Sequence, residues 1–321
     1  MLRNGSLRLL GWGAATVVLL LSLSILVPLI NVITIILFIT SLLVQYVKLD
    51  IKRFLIFYGI CMVVVYLSAS LLWMGSVAVF LMAVSLFFLP PIIQMGNQYK
   101  KHAPVRSVLT AGTVTLMAEI LLSLLICYAI GINLFDFMEG ALKDYFINSI
   151  NTMPPELKKL MVIPDLEMIE QAVQVISRMF PLLMISVCFS LVLVTHWLSR
   201  KLLNKLGEKI SGLKPVRNWM LHKSWVWYLV IALFMELLVK DMNSVFFTIL
   251  INLYPLLIFI FAVQAVSLML FVAHSRGWNQ KLSTFVIIVI LVVTAPFFMF
   301  LLSLLGVFDV AFPLRERITR K

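Results

Sequence analysis

The chain has 321 residues, of which 62% are hydrophobic and only 12% charged, with a formal charge of +12. A soluble domain carries about twice that charged fraction, so a water-covered globular surface is excluded and most of the surface must face lipid. The basic excess would suggest nucleic acid in a soluble protein; its distribution along this chain points to membrane topology instead, and no nucleic-acid partner is expected.

A bilayer core of roughly 30 Å takes about 20 apolar residues in a helix. Residues 9–47, 54–99, 242–275 and 282–308 contain no Asp, Glu, Lys or Arg. These runs are apolar on all sides, as in Phe285 to Val293, and lack the alternation of a membrane barrel. The fold class expected is therefore all-α, a polytopic transmembrane bundle of about 8–10 spans, because a helix satisfies its own backbone groups in lipid.

In chain order, Arg3 and Arg8 precede an apolar stretch that has no clear small-residue cleavage site. It reads as a retained first span rather than a signal peptide. Within it Gly11 and Ala15 form a small-xxx-small pair that permits close helix approach, which makes them candidates for partner binding. Spans are expected near 9–27, 29–47, 54–74, 76–97, 107–131 and 179–198. A first turn falls at Pro28 and Asn31. The loops between the spans alternate in charge. Lys48, Lys52 and Arg53 occupy the second, Lys100, Lys101 and Arg106 the fourth, and the first and third carry none. With Lys and Arg retained in the cytoplasm, the N-terminus is expected there.

The fifth span, 107–131, carries the deepest ionisable group. Thr115, Glu119, Ser123 and Cys127 recur every four residues, with Gly112 one turn earlier. A carboxylate at mid-membrane is costly and rare, which marks Glu119, Thr115 and Ser123 as candidate ligand-binding residues. A packing seam in which Glu119 hydrogen-bonds a neighbour is the competing reading. Gln264 and Asn252, in the later apolar run, are candidates to complete the same site.

Residues 132–178 hold seven of the fourteen acidic residues and form an extracytoplasmic helical insert. Its first helix is expected from Leu134 to Phe146, with a break over Asn151 to Pro155. A second helix should begin after an Asp165 N-cap, with Leu166, Ile169, Val173 and Ile176 on one face. The pair lies on the membrane surface or forms a lid. Residues 199–223 form a basic cytoplasmic loop with seven basic residues and only Glu208 opposing them. Leu202, Leu203, Leu206 and Ile210 share one side. The loop would meet anionic lipids of the bilayer, and Lys205 and Lys209 are candidates for docking a cytoplasmic or membrane protein.

Further spans fall near 224–239, 244–275 and 282–308. Nine spans put the tail outside, whereas Arg315, Arg317, Arg320 and Lys321 favour inside. Either 242–275 is a tight hairpin turning near Asn252 to Pro255, or the 16-residue 224–239 segment does not span fully. Residues 1–321 read as a single membrane domain.

Cys61, Cys127 and Cys188 show no CxxC or Cys/His spacing, so no disulfide framework or metal site is indicated and no cofactor is expected. His196 and His274 read as interface anchors beside Arg200 and Arg276. No HExxH, GxSxG or GxxxxGK[ST] motif occurs, so the chain is not expected to be an enzyme.

The C-terminal part carries Asn252-Leu253-Tyr254, Phe261-Ala262-Val263-Gln264-Ala265 and Leu305-Gly306-Val307-Phe308-Asp309, followed by Arg315-Glu316-Arg317. In this order of motifs the chain resembles the YybS-like family of bacterial multi-pass membrane proteins, with Ala265 where the family often has Gly. The N-terminal spans are similar, more loosely, to the substrate-binding S-components of energy-coupling-factor vitamin transporters. A similar layout extends to MreD-like scaffold proteins. The resemblance implies a bacterial cytoplasmic (inner) membrane and identifies no ligand. The function expected is S-component-like small-molecule binding or transport; the alternative is a non-catalytic scaffold or regulatory partner protein.

Overall fold

A computed structural model describes residues 2–23, 28–72, 75–160, 164–241, 244–279, 289, 299–312 and 314–319. The chain is an all-α polytopic membrane bundle. The helices are α1 (Leu2–Ser22), α2 (Pro28–Lys48), α3 (Ile51–Leu72), α4 (Gly75–Lys100), α5 (Val105–Ala129), α6 (Leu134–Asn151), α7 (Pro155–Leu160), α8 (Leu166–Arg178), α9 (Phe180–Lys205), α10 (Ser224–Leu238), α11 (Val245–Ser275), α12 (Met299–Ala311) and α13 (Leu314–Thr319). A 3-10 turn occupies Val216–Asn218. Among the described residues there is no strand.

Six of these helices are long and apolar enough to cross a bilayer: α3, α4, α5, α9, α11 and, within α2, Asn31–Lys48. Asn31 thus lies inside α2, and the helix starts at Pro28, where the missing N–H costs nothing. Residues 282–298 of the expected last span lie outside the described residues, apart from Val289; its end is α12.

The hairpin alternative for 242–275 is set aside, because α11 is one helix of 31 residues with Pro255 inside it. A turn at that depth would leave backbone groups unsatisfied in hydrocarbon, whereas one missing N–H is a smaller loss. Ser244 caps its start, the hydroxyl accepting from the Phe247 N–H at 3.1 Å. By contrast α10 has 15 residues, about 22 Å of helix, shorter than the hydrocarbon core.

The chain divides into two compact units. Unit 1 is Met1–Leu134 with Met184–Gly212, and unit 2 is Phe135–Leu183 with Leu213–Lys321. In unit 1, α1 packs on α2 and α3, and α4 packs on α2, α3 and α5. The core there includes Leu20, Phe38, Leu42, Phe54, Val65, Leu81, Ile92, Met95 and Cys188. Gly112 lets α5 approach closely, since an added Cβ would stand 2.8 Å from Met95 Sδ and 2.9 Å from Val192 Cγ1. Small residues at such seams raise van der Waals contact where no hydrophobic force is available.

In unit 2, α10, α8, α13 and the 3-10 turn all pack on α11. Leu229, Ala232, Leu250, Leu257, Phe261 and Val310 form its core. Asp165 caps α8 as expected, accepting from the Met168 N–H at 2.8 Å. Ile169 and Val173 are buried, while Leu166 is exposed. α6 has no buried residue among those described, leaving Phe137 and Tyr145 open. Lys143 Nζ ties α6 to Glu170 on α8 at 2.6 Å, an exposed pair worth at most about 1 kcal/mol.

Candidate functional site

The second half of α5 differs from the first. Val105, Val108, Leu109, Gly112 and Leu116 are buried; no residue from Met117 to Ala129 is. At 100° per residue, Glu119 and Ser123 continue the side of the helix on which Gly112 and Leu116 are buried. Both are half-buried, and Met117 and Ile120 beside them pack against the core. Leu121 and Leu125, on the opposite side, are exposed. Glu119 is 14 residues from the start of α5, about 21 Å along its axis, near mid-depth of a span. Glu119 therefore lies on the inward side of its helix rather than the lipid side. No partner for its carboxylate occurs among the described residues.

Thr115 is separated from this pair. Its hydroxyl donates to the Ala111 carbonyl at 2.7 Å, and the residue lines an open groove on the outer side of α5. That groove, about 450 Å³, also takes in Gln94, Arg106 and Ser107. Glu119 and Ser123 do not line it.

Other polar residues inside unit 1 pair with one another. Gln45 Nε2 donates to Thr16 Oγ1 at 2.7 Å, and Thr16 and Ser41 hydroxyls meet at 2.8 Å. His196 is 2% exposed and is not an interface anchor: its Nδ1 lies 2.7 Å from the Tyr99 hydroxyl. Thr195 Oγ1, His196 Nε2 and Ser199 Oγ, all on the buried side of α9, have no hydrogen-bond partner among the described residues. Such groups need a partner to offset their desolvation. Sequence spacing does not single out this group: His196 sits about one turn before Arg200, at the basic end of its span, and Thr195 and Ser199 carry no charge.

Gln264 and Asn252 lie in unit 2, and both are engaged. Asn252 Nδ2 donates to Arg178 O and Thr248 O at 2.8 Å, while its Oδ1 accepts from the Leu182 N–H at 2.9 Å. It staples α11 to the α8–α9 junction. Gln264 Nε2 donates to Asp309 Oδ2 at 2.5 Å, and its Oε1 accepts from the Leu221 N–H at 3.2 Å. Asp309 is fully buried, and Arg315 answers it: Nη2 to Oδ2 at 2.6 Å and Nε to both carboxylate oxygens at 3.1 Å. Arg315 also donates to Arg217 O and to Ser267 Oγ. Ser267 in turn donates to Val216 O and Trp219 O. This cluster ties α11, α12, α13 and the 216–221 segment together with its polar groups matched, which is the condition a buried ion pair requires.

The partner-binding candidates stay at the surface. Gly11 is exposed with nothing within 4 Å of an added Cβ, and Ala15 is half-buried. Lys205 and Lys209 are exposed, while Leu203 and Ile210 are buried and Leu202 and Leu206 pack beside them, as their spacing implied. The loop is folded back, because Asn204 Oδ1 accepts from the Ile210 N–H and Arg200 Nε donates to the Ile210 carbonyl.

One end of unit 1 gathers charge. Lys100 Nζ donates to Leu49 O, and Lys48 Nζ pairs with Glu208 at 2.6 Å, which brings 48–53, 100–106 and 200–212 to the same end. Those three segments contain ten basic residues and two acidic ones. Among the described residues no cluster of His, Cys, Asp and Glu could hold a metal ion.

Comparison with known proteins agrees with this architecture. A family profile described as "Predicted membrane protein (DUF2232)" matches residues 14–310. The curated "Uncharacterized protein YybS" of Bacillus subtilis (strain 168) is 23% identical over 231 residues, which cover 70% of this chain and 72% of that protein. No solved structure matches.

Proposed function

The chain belongs to the DUF2232 family of predicted membrane proteins, and from that premise we propose that it binds, and in a transport cycle hands on, a small polar molecule held at Glu119 and Ser123. The observation that carries this is Glu119 itself: a mid-span carboxylate on the inward side of α5, half-buried, with no partner among the described residues. An ionisable group at that depth is expensive unless it has a task. Of the other polar residues of the same bundle, Thr16, Ser41 and Gln45 satisfy one another apart from Gln45 Oε1, whereas Thr195, His196 and Ser199 on α9 keep buried polar atoms without a partner among the described residues. Six helices, α1 to α5 and most of α9, supply unit 1. With the basic end of this unit facing the cytoplasm of a bacterium, the N-terminus would lie on the cytoplasmic side of the inner membrane.

Small molecules extracted from purified wild-type protein and from Glu119→Gln test the reading. A compound should accompany the wild type and fall by at least about tenfold in the variant, the weight of one charge-assisted hydrogen bond, with thermal stability unchanged. A compound retained equally by both removes Glu119 from the site. Wild-type protein that is empty and carries another subunit instead supports the scaffold role.

A further inference from the structure

The outer groove on α5 is chemically unlike the Glu119 side and needs a different occupant. Its lining residues on α5 are Arg106, Ser107, Thr110, Ala111, Val114 and Thr115, with Gln94 facing them from α4. From Ser107 onward these positions follow an i, i+3, i+4, i+7, i+8 pattern, with Arg106 four residues before Thr110, so they form one continuous stripe. Gln94, Arg106, Thr110 and Val114 are exposed, so the groove opens outward from unit 1.

The stripe is graded. Arg106 and Ser107 stand at the helix start, where the chain leaves the membrane at the basic end of the unit. Ala111 and Val114 lie one to two turns deeper. From Arg106 to Thr115 is nine residues, about 14 Å along the axis. A cation and hydroxyl at the interface with a narrow apolar floor beneath match an amphiphile with an anionic head. Arg is suited to the head, because its planar fork bonds two phosphate oxygens at once. Charge complementarity supports the same occupant, with ten basic and two acidic residues at this end.

We propose that the α4–α5 groove is a specific site for one anionic phospholipid, its phosphodiester on Arg106 and Ser107 and an acyl chain over Ala111 and Val114. This site is independent of ligand binding at Glu119.

The test uses the full chain in vesicles of phosphatidylcholine doped with phosphatidylglycerol, followed by native mass spectrometry of the released protein. The wild type should retain one phosphatidylglycerol in preference to phosphatidylcholine. Arg106→Ala should lower that retention by about fivefold, the weight of one interfacial basic residue, while Arg53→Ala, exposed at the same end but outside the groove, should leave it unchanged. Val114→Trp, which fills the floor and keeps the charge, should also lose the lipid. Inorganic phosphate should not displace it. Equal retention of the two lipids, equal losses in Arg106→Ala and Arg53→Ala, or displacement by phosphate would each overturn the proposal, leaving ordinary annular lipid or a free-anion site.

Discussion

Arg315→Met should destabilise unit 2 by about 3–5 kcal/mol, the cost of leaving one member of a buried pair unanswered. Asp309 is fully buried and takes three of its hydrogen bonds from Arg315 Nε and Nη2. With the guanidinium gone, only Gln264 Nε2 is left of the partners described above, and an uncompensated carboxylate in a low-dielectric interior is expensive. Arg217 O and Ser267 Oγ lose a donor in the same step. Melting followed by circular dichroism in detergent reads the change. Adding Asp309→Asn to Arg315→Met should restore much of the loss, because the buried charge is then removed as well. A single variant as stable as the wild type would mean that the cluster carries no stability.

Gly306→Ala should be the most damaging glycine-to-alanine change among the described residues. An added Cβ at Gly306 would overlap the carbonyl oxygen of Phe261 and stand 2.7 Å from its carbonyl carbon and 3.2 Å from the Ala265 nitrogen. These are backbone atoms of α11, so no side chain can swing aside, and α12 must move off its neighbour. Overpacking usually costs about 1–3 kcal/mol, and the rigid neighbour places this change at or above the top of that range. Asp309 and Val310 would be displaced with the helix, so the ion pair should loosen too. Gly140→Ala on α6, where an added Cβ meets nothing within 4 Å, serves as the control and should be neutral or mildly stabilising through helix propensity. The same melting measurement separates them; equal midpoints would contradict the close approach of α12 to α11.

Much of the architecture follows from where charge is missing. The uncharged runs located α2, α3, α4 and α11 because in a bilayer apolar length alone decides a span. The Asp165 cap and the Leu203/Ile210 side were legible because caps and faces are local. Asn252 and Pro255 misled in the opposite sense. In water they are turn signals, but in hydrocarbon a turn is the costlier choice, and α11 runs through both. The Asp309–Arg315 pair was visible only as two residues of a family-like motif. Its meaning depends on a tertiary contact that also recruits Gln264 and Ser267 from α11, and no local pattern encodes that. The nearest signal was an Asp inside the apolar stretch that ends at Ala311, with an Arg just beyond it. Glu119 stood out at once because its type and depth conflict. That Thr115 turns to the outer groove while Ser123 stays beside Glu119 required the packing of α5, because an i, i+4 repeat drifts by about 40° each step.

The most direct measurement is water access along α5 in intact membranes. With Cys61, Cys127 and Cys188 replaced, single cysteines at Glu119, Ser123, Leu121 and Leu125 would be exposed to a charged, water-soluble thiol reagent. Cysteines at 119 and 123 should react, because a polar binding site admits water, and those at 121 and 125 should not, because lipid keeps their thiols protonated and out of reach. A cysteine at 119 as inert as that at 121 would contradict a binding site at Glu119.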